Sequence, residues 1–353
     1  MAQINKSTDY FNTVLNTGDD TSPKSITGVG FQPDLVWTKS RTSGTTNHTL
    51  FDSVRGAGSN KELSSNSSTA EGGNQSSNYG YLSSFDSDGF TATIGSIGAN
   101  YFNQSGETYV NWNWLASNST ASNTDGSITS TVSANTTSGF SIVSYTGTGS
   151  NATVGHGLGA TPKFVTIKNR TTSGWSWKTH HVAITPSQRL HLNTTDGATT
   201  DTTAFNSTAP TSSVFSVGTS VGTNGSSDNM IAYCFSEKKG FSKFGSYTGN
   251  GSNDGPFIYT GFKPAWVMTK RTDSTSAWQM FDNTRSPSNP TDKRLKADEN
   301  SAEDTNLERD FLSNGFKIRT NNATINGSGV SMIYMAFAEN PLVGTNNIPA
   351  TAR

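Results

Sequence analysis

Short apolar runs separated by turn-forming residues recur along the whole chain, and one pattern of them occurs three times. Each copy has a Gly, a Pro shortly after it, an apolar run and then a Lys, at 30–42, 159–171 and 261–272. Pro fixes φ and lacks an N–H, so it suits the entrance of a strand. The five residues between Pro and Lys are too few for a helix and are rich in β-branched and aromatic types. We therefore predict, in each copy, a central strand that is covered on both faces.

Each copy also opens and closes with a predicted strand. The opening runs lie at 10–15, 140–147 and 241–249, and the closing runs at 110–115, 231–237 and 333–339. Because side chains alternate across a strand, we expect one face of each closing strand to be buried in the core of its own repeat. The alternating residues are Trp112, Trp114, Tyr233, Phe235, Met335 and Phe337.

The spacing of the copies indicates separate domains. Pro162 and Pro264 are 102 residues apart, which is too long for a solenoid unit and suits an independently cored domain. Many short β segments with Gly, Asn and Ser turns predict an all-β fold of three tandem antiparallel β-sandwiches of jelly-roll or lectin-like type. The predicted parts are repeat 1 at 1–116, a Ser/Thr/Asn-rich linker at 117–138 that is extended or paired on an edge, repeat 2 at 139–239, repeat 3 at 240–343 and a C-terminal tail at 344–353. Helical signals are few, with short turns or helices predicted at 290–299 and 302–311.

Composition narrows the class of protein. Only 14% of the 353 residues are charged and the formal net charge is -1, so nothing favours attraction to nucleic acid or to an anionic membrane. Cys234 is the only cysteine, which excludes a disulfide framework and a cysteine-based zinc site within one chain. The start has no apolar segment of a signal peptide, and no apolar run approaches the roughly 18 residues that span a bilayer. We expect synthesis and folding in a cytoplasm.

The aligned middles of the copies hold the candidate chemistry. Phe51-Asp52 and Phe281-Asp282 have His180-His181 in their place in repeat 2. A general acid or base needs the same identity in every working copy, so this swap favours a structural role for Asp52 and Asp282. His180 or His181 could share a strand face with His191 and bind a divalent metal. The alternative, which we favour, is that these histidines are exposed and form hydrogen bonds, with no metal.

Acidic residues gather at two further places. Asp86-Ser87-Asp88-Gly89 looks like the start of a calcium loop, but no Glu closes it, and a tight turn is the better interpretation. A polysaccharide-cleaving enzyme would need a carboxylate pair in a groove. Acids are dense only at Asp298, Glu299, Glu303 and Asp304, which we interpret as a solvated turn.

The repeated lysines Lys39, Lys168 and Lys270 allow two interpretations. On a strand, Lys39 lies on the same side as Leu35 and Trp37. A cation beside aromatic rings could form a shelf for a sugar ring or a partner protein. Alternatively, the stem packs over the aromatic ring and the head reaches solvent or a carboxylate.

Loops differ more between the copies than strands do, and binding usually occurs on such loops. The loops that follow the central strand are 43–48, 172–177 and 273–278. Trp175, Trp177 and Trp278 are candidates to stack on a sugar or a partner, and the alternative is that they fold back over the core. His180 and His181, which replace Phe-Asp, are candidate residues of a binding loop specific to repeat 2.

Several separated motifs resemble one known family. The stretches 25–34, 51–56, 153–159, 244–251 and 332–343 are similar to a repeat family in virion proteins of marine tailed bacteriophages. The resemblance covers nearly the whole chain and implies a virion context and lectin-like β-sandwich domains. It carries over no catalytic residue.

The expected function is therefore that of a virion structural protein without catalytic activity. A tail or fibre component that contacts the host surface through loops is the first hypothesis, capsid decoration the second and a polysaccharide depolymerase the third. The expected partners are other virion proteins, a host surface glycan or protein, and further copies of the chain. No cofactor, nucleic acid or membrane insertion is expected.

Overall fold

The computed structural model describes residues 3–343, and the predicted tail at 344–353 lies outside the described residues. The fold is all-β with several antiparallel sheets, as the sequence predicts. Repeat 1 contains a 3-10 helix (Ser7–Asp9), β1 (Phe11–Thr17), β2 (Lys24–Thr27), β3 (Leu35–Ser40), β4 (Thr49–Asp52), α1 (Ser76–Tyr79), β5 (Tyr81–Asp86), β6 (Gly89–Thr93) and β7 (Thr108–Trp114).

The elements that follow are again almost all strands. Between repeats 1 and 2 lie β8 (Ala121–Asn123) and β9 (Ser130–Asn135). Repeat 2 contains β10 (Phe140–Thr146), β11 (Ala152–Gly155), β12 (Phe164–Asn169), β13 (Lys178–His181), β14 (Gln188–His191), β15 (Thr199–Thr200), β16 (Val214–Val217), α2 (Val221–Asn224) and β17 (Asn229–Phe235). Repeat 3 contains β18 (Ser242–Thr248), β19 (Phe257–Tyr259), β20 (Phe262–Arg271), β21 (Gln279–Asp282), β22 (Thr291–Lys296), β23 (Asp304–Leu312), β24 (Gly315–Ile318), α3 (Ala323–Asn326) and β25 (Ser331–Pro341).

An inner set of four strands has the same order in every repeat. The neighbours are β1-β7-β3-β4, β10-β17-β12-β13 and β18-β25-β20-β21, and all of these pairs are antiparallel. The register is also the same two residues after each repeated Pro, where the pairs are Leu35 with Trp114, Phe164 with Phe235 and Trp266 with Phe337. Pro33, Pro162 and Pro264 therefore occupy equivalent places, as their spacing predicts.

Both faces of the central strand are covered, because it lies between two hydrophobic clusters. Every residue of β3 and β12 is buried. Val36, Val165 and Val267 face a cluster private to their own repeat, shared with the outer strands β2-β6-β5, β11-β16 and β19-β24-β23. The strand residues on either side of each Val point the other way.

That other face belongs to a core shared by all three repeats. The equivalent residues Trp114, Phe235 and Phe337 meet there, with ring centroids 6.3, 5.7 and 5.8 Å apart. Mutual contact of three equivalent side chains places the repeats around a pseudo-threefold axis. A void of about 20 Å³ remains beside these rings. The prediction that the closing strands bury their large residues in a separate core for each repeat is therefore wrong, since these residues form the common core.

Two predictions about local structure also need correction, and one pair of alternatives is decided. The expected helices at 290–299 and 302–311 are the strands β22 and β23, because pairing beside β21 supplies backbone hydrogen-bond partners that a short isolated helix would lack. The segment 117–138 takes the edge-paired alternative, with β8 on β9 and β9 on β10.

A buried asparagine near the end of each repeat fixes the loop after the opening strand, and the sequence patterns did not indicate it. Asn224 accepts from the Thr148 N–H at 2.8 Å and donates to the Ser150 carbonyl at 2.6 Å. Asn326 makes the same contacts with Asn250 and Ser252, at 2.9 and 2.7 Å. The equivalent contacts in repeat 1 are made by Asn103, which accepts from the Asp19 N–H at 3.1 Å and donates to the Thr21 carbonyl at 2.7 Å.

Candidate functional site

The aligned ring position just before β4, β13 and β21 lies at a contact between repeats. Trp177 donates from its indole to the Ser64 carbonyl of repeat 1 at 2.8 Å, and Trp278 donates to the His191 carbonyl of repeat 2 at 2.8 Å. His48 takes this place in repeat 1, and its Nε2 lies 2.9 Å from the Lys296 carbonyl of repeat 3. His48 Nδ1 accepts from the Trp37 indole, so Nε2 carries the proton and donates. Each repeat therefore contacts the preceding one, and the contacts close into a ring.

Trp177 and Trp278 thus take the second of the two alternatives predicted for them, because both side chains are buried in the shared core. Trp175 differs, since 37% of it is exposed, and its carbonyl accepts from Lys168. A binding role on the surface stays a prediction for Trp175 alone among the three.

A buried ion network joins repeat 3 to repeat 1. Asp282 accepts from the Arg285 guanidinium at 2.5 Å and from the Trp112 indole at 3.0 Å. Arg285 also contacts Glu303 at 3.2 Å, and Glu303 receives two hydrogen bonds from Arg41, at 2.9 and 2.8 Å. Burial alone would raise the pKa of Glu303, but the two arginines outweigh it and lower that pKa. Each of the two carboxylates in this network is therefore paired with an arginine.

An equivalent network joins repeat 1 to repeat 2. Asp52 accepts from Arg55 at 2.5 Å and from the Tyr233 hydroxyl at 2.7 Å. Glu71 contacts Arg55 at 3.1 Å and accepts from Arg170 at 2.7 Å. Burial first, and then the neighbouring Asp52 charge, raise the pKa of the Tyr233 hydroxyl, which stays neutral and donates. Asp52 and Asp282 therefore have partners at equivalent positions, an arginine and a donor on the closing strand of the next repeat, and the structural role expected for them.

The interface of repeat 2 with repeat 3 replaces all of these charges. His181 stands in place of the aspartate, and Ile184 and Thr272 stand in place of the two arginines. Ala198 replaces the glutamate, and Met335 replaces the Tyr or Trp. The backbone contact persists, since the Ala198 N–H donates to the Thr272 carbonyl at 2.8 Å, as Glu71 does to Arg170 at 3.1 Å.

His181 meets the same neighbouring strand by a different bond. Its Nδ1 accepts from the Ala183 N–H at 3.0 Å, so Nε2 is protonated and donates to the Tyr334 carbonyl at 3.1 Å. Burial lowers the pKa of His181 to about 4, which keeps the ring neutral. The departure of repeat 2 from Phe-Asp is thereby explained, because an aspartate facing Met335 would lack the donor that Trp112 or Tyr233 supplies.

The other two histidines do not form a metal centre. His180 is buried beside the Phe205 ring, not exposed as we expected, and burial lowers its pKa to about 4. Burial, then Arg189 and Lys178, lower the pKa of His191 to about 4, and two adjacent cations oppose the binding of a third. Within residues 3–343, no group of three or more His, Cys, Asp or Glu side chains is placed to hold a metal ion.

The repeated lysines bind carbonyl groups and reach neither solvent nor a carboxylate with the head group. Lys39 donates to the carbonyls of Ser40 and Ser43, at 2.7 and 3.0 Å. Lys168 reaches the Ser68 carbonyl of repeat 1 at 2.9 Å, and Lys270 reaches the Thr195 carbonyl of repeat 2 at 2.8 Å. Burial lowers the pKa of each to about 8. Neither interpretation from the sequence anticipated this role, which fixes the loops after the central strand.

The two acidic stretches have structural partners. Asp88 accepts from the Gly28 and Gly30 N–H groups, which agrees with a turn. The expected solvated turn at 298–304 is wrong for Asp298 and Glu303, whereas the side chains of Glu299 and Asp304 are 35% and 44% exposed. Asp298 is 9% exposed and accepts from the Trp278 N–H at 2.8 Å, and burial raises its pKa to about 6. Glu303 belongs to the interface network.

Two open polar grooves lie on repeats 1 and 3, and both include the loop at 73–75 in repeat 1 or its equivalent at 305–307 in repeat 3. We call the first the amide groove; it has a volume of about 470 Å³ and is lined by two threonines, a glycine and Asn47, Asn74, Gln75, Tyr79, Asn100 and Tyr101. The second has a volume of about 420 Å³ and includes Asn306, Glu308 and Arg319. The sequence patterns indicated neither groove, although Asn-Gln at 74–75 and Asn-Tyr at 100–101 are the kind of polar and aromatic pairs that line binding sites.

Comparison with known proteins identifies the family but no activity. The family described as a domain of unknown function (DUF7483) matches residues 6–341, so the chain belongs to this family. No curated protein and no solved structure matches it. Across the described part of the chain, no helix is long and apolar enough to cross a membrane.

Proposed function

We propose that this member of the DUF7483 family is a bacteriophage virion structural protein, a tail or fibre component that contacts the host surface through loops and catalyses no reaction. One observation carries the proposal. The charged side chains that recur in repeats 1 and 3, which are the best candidates for shared chemistry, are used in ion pairs at the interfaces, four of them within a repeat and two between repeats. Their geometry favours a rigid frame. The virion setting rests on the resemblance of the separated sequence motifs.

We further infer that each repeat is a β-sandwich of the jelly-roll or lectin-like type. In repeat 1 the residues Val36 and Phe51 of the inner sheet share one cluster with Ile26, Leu82 and Phe90 of the outer sheet. Repeats 2 and 3 have corresponding clusters. Two sheets that bury their facing sides in this way are typical of a sandwich.

Capsid decoration is the second candidate, and the pseudo-threefold arrangement favours it specifically. Three equivalent rings meet on one axis, so a single chain presents three similar surfaces around that axis. Such a shape suits a position of threefold or local threefold symmetry on a head. Other virion proteins are partners in both hypotheses, and a homo-oligomer would suit a fibre.

Localisation on the particle tests the proposal. Antibodies raised against the recombinant chain are labelled with gold and applied to purified particles of a phage that carries the gene. Label on the tail or fibres supports the first hypothesis, and label over the head supports decoration. Particles free of the label and of peptides from the chain would contradict both.

Incubation with host cells and with isolated surface polysaccharide tests the absence of catalysis. We expect saturable binding to the cells, with copies on one particle adding through avidity. Release of reducing sugars would show a depolymerase and contradict the non-catalytic proposal.

A further inference from the structure

The amide groove of repeat 1 contains a polar group that the protein itself leaves without a partner. Asn66 donates to the Asn47 side-chain oxygen at 2.8 Å, and Asn47 donates to the Asn74 side-chain oxygen at 3.2 Å. This chain of amides fixes the direction of the last one, because Asn74 Oδ1 is the acceptor. Asn74 Nδ2 is buried and has no hydrogen-bond partner within residues 3–343. A buried donor without an acceptor costs free energy, so its position calls for an explanation.

The backbone around this donor is also fixed. The Tyr101 hydroxyl donates to the Asn74 carbonyl at 2.5 Å, and the Tyr101 ring packs edge to face against Tyr79 with centroids 6.1 Å apart. Gln75 follows in the left-handed conformation, with φ of 64°, and is exposed. The backbone that carries this donor is therefore held in place before any ligand arrives, which reduces the entropy lost on binding.

The lining of the groove limits what could bind. None of the nine described residues that line it carries a charge, and they supply amides, hydroxyls and two tyrosine rings. An anion would meet no cation there, and a metal ion would meet no carboxylate. An apolar peptide segment would find no aliphatic pocket. A volume of about 470 Å³ lies within the range of small-ligand sites, which is about 300 to 1,000 Å³.

We propose that the amide groove opens slightly around a neutral carbohydrate, so that Asn74 Nδ2 donates to a sugar oxygen. A sugar hydroxyl both donates and accepts, so it can pair with the amides of Asn74, Gln75 and Asn100. The tyrosine ring of Tyr79 can cover an apolar face of the sugar. This inference deepens the proposed function and rests on it for its biological setting, since it names the class of host ligand that the loops would contact.

The groove of repeat 3 provides an internal comparison. It includes the equivalent loop at 305–307 but also Glu308 and Arg319, and Arg319 pairs with Asp310 at 2.8 Å. A charged wall is expected to disfavour a neutral sugar. Asn306 in this groove is exposed, so Asn306→Ala is a matched control for a substitution in the amide groove.

The test uses the full chain and saturation-transfer NMR, which detects weak binding. The probes are cellobiose, maltose, lactose, a mannose disaccharide and N,N′-diacetylchitobiose, with a sulfated disaccharide as the anionic comparison. We expect saturable binding of at least one neutral disaccharide and none of the sulfated one. Asn74→Asp keeps the acceptor oxygen and removes the donor, and it should weaken binding about tenfold or more. Gln75 is exposed, so Gln75→Ala is the second variant if Asn74→Asp does not fold, and it should also weaken binding about tenfold or more. Asn306→Ala should leave the affinity unchanged.

The outcomes separate this inference from the proposed function. No binding of any neutral probe, or binding that Gln75→Ala and a folded Asn74→Asp leave unchanged, overturns the amide groove as a carbohydrate site. Binding of the sulfated probe alone overturns it as well. If the gold label finds the chain on virions while the sugars fail, the virion proposal stands without the groove. If the sugars bind while virions lack the chain, the groove stands without the virion proposal.

Discussion

Asp282 is the residue whose loss should weaken the closure of the ring most. Its side chain is fully buried and holds the equally buried guanidinium of Arg285, while it also accepts from Trp112 of repeat 1. In Asp282→Ala, Arg285 keeps its contacts with the Met280 carbonyl at 3.1 Å and with Glu303 at 3.2 Å. Glu303 must then balance two arginines, and the Trp112 indole loses its acceptor.

The expected loss follows from the burial of the pair. Removing one partner of a buried ion pair leaves an uncompensated charge and costs about 3 to 5 kcal/mol. We expect a decrease of that size in the free energy of unfolding. His181→Ala changes the equivalent position at the interface of repeats 2 and 3 and leaves no unpaired charge; it removes two neutral hydrogen bonds, each worth about 1 kcal/mol, and the packing of a buried ring. The cost there should be smaller than in Asp282→Ala.

A variant that carries the residues of the interface of repeats 2 and 3 at the interface of repeats 3 and 1 provides a sharper test. The five changes Asp282→His, Arg285→Ile, Glu303→Ala, Arg41→Thr and Trp112→Met install the residues found at the interface of repeats 2 and 3. Replacing a buried ion network by apolar residues is often neutral or stabilising, since no charge remains to be desolvated. We expect the fivefold variant to recover most of the stability that Asp282→Ala loses.

Guanidinium unfolding followed by tryptophan fluorescence and by circular dichroism measures these free energies. A loss below about 1 kcal/mol in Asp282→Ala would show that the network does not hold the interface. A fivefold variant less stable than Asp282→Ala would show that the two sets of residues are not equivalent solutions, and would refute our account of the departure in repeat 2.

Three further predictions concern single positions. Phe337 lies in the shared core, so Phe337→Ala should cost roughly 3 to 5 kcal/mol in equilibrium unfolding, and a loss under about 1 kcal/mol would contradict its place there. Arg309 is fully buried over the Phe281 ring without a hydrogen-bond partner in the described chain, and Leu82 holds the equivalent position in repeat 1. Arg309→Leu should therefore raise the free energy of unfolding by about 1 kcal/mol or more. A decrease would show that Arg309 has a partner outside the described chain. The folded-state pKa of His181 is about 4 against about 6.5 in the unfolded chain, so its stabilising effect is present above pH 6.5 and is lost as the pH falls toward 4, by about 3 kcal/mol in total. Unfolding at pH 7 and 4.5 should show a smaller acid loss in His181→Gln than in the unchanged chain, and parallel losses would contradict this.

The sequence predicts the repeats and their strands well, because those depend on local patterns. A Pro at the strand entrance and an unbroken apolar run are enough to place β3, β12 and β20 and to show that both faces are covered. The pattern cannot say what covers each face. A strand inside a separate sandwich and a strand between a sandwich and a shared core have the same apolar run, so Trp114, Phe235 and Phe337 could be assigned to burial but not to one common cluster.

The predicted binding residues show the same limit. Trp177 and Trp278 follow variable loops, as exposed aromatic residues of binding sites do, but the neighbouring repeat covers them. Their alignment with His48 was visible, and all three have a ring N–H that can donate. A shared donor at a shared position is a signal for a structural contact. The amide groove had no such periodic signal, because its residues come from three loops that are distant in sequence.

The three interfaces differ even though the three repeats match, and this follows from the closure of the ring within one chain. In a trimer of identical chains, every substitution at an interface would appear three times. A change from aspartate to histidine would then occur at all three interfaces at once, including those where an indole needs the carboxylate as its acceptor. Here Met335 faces His181, while Trp112 faces Asp282 and Tyr233 faces Asp52. Each residue on a closing strand is matched by the residue that the preceding repeat presents to it, so a change in one repeat needs compensation only in the next. Covalent linkage therefore frees the loops of each repeat to diverge as well, which is the condition under which repeat 1 can have an uncharged groove while repeat 3 has a charged one.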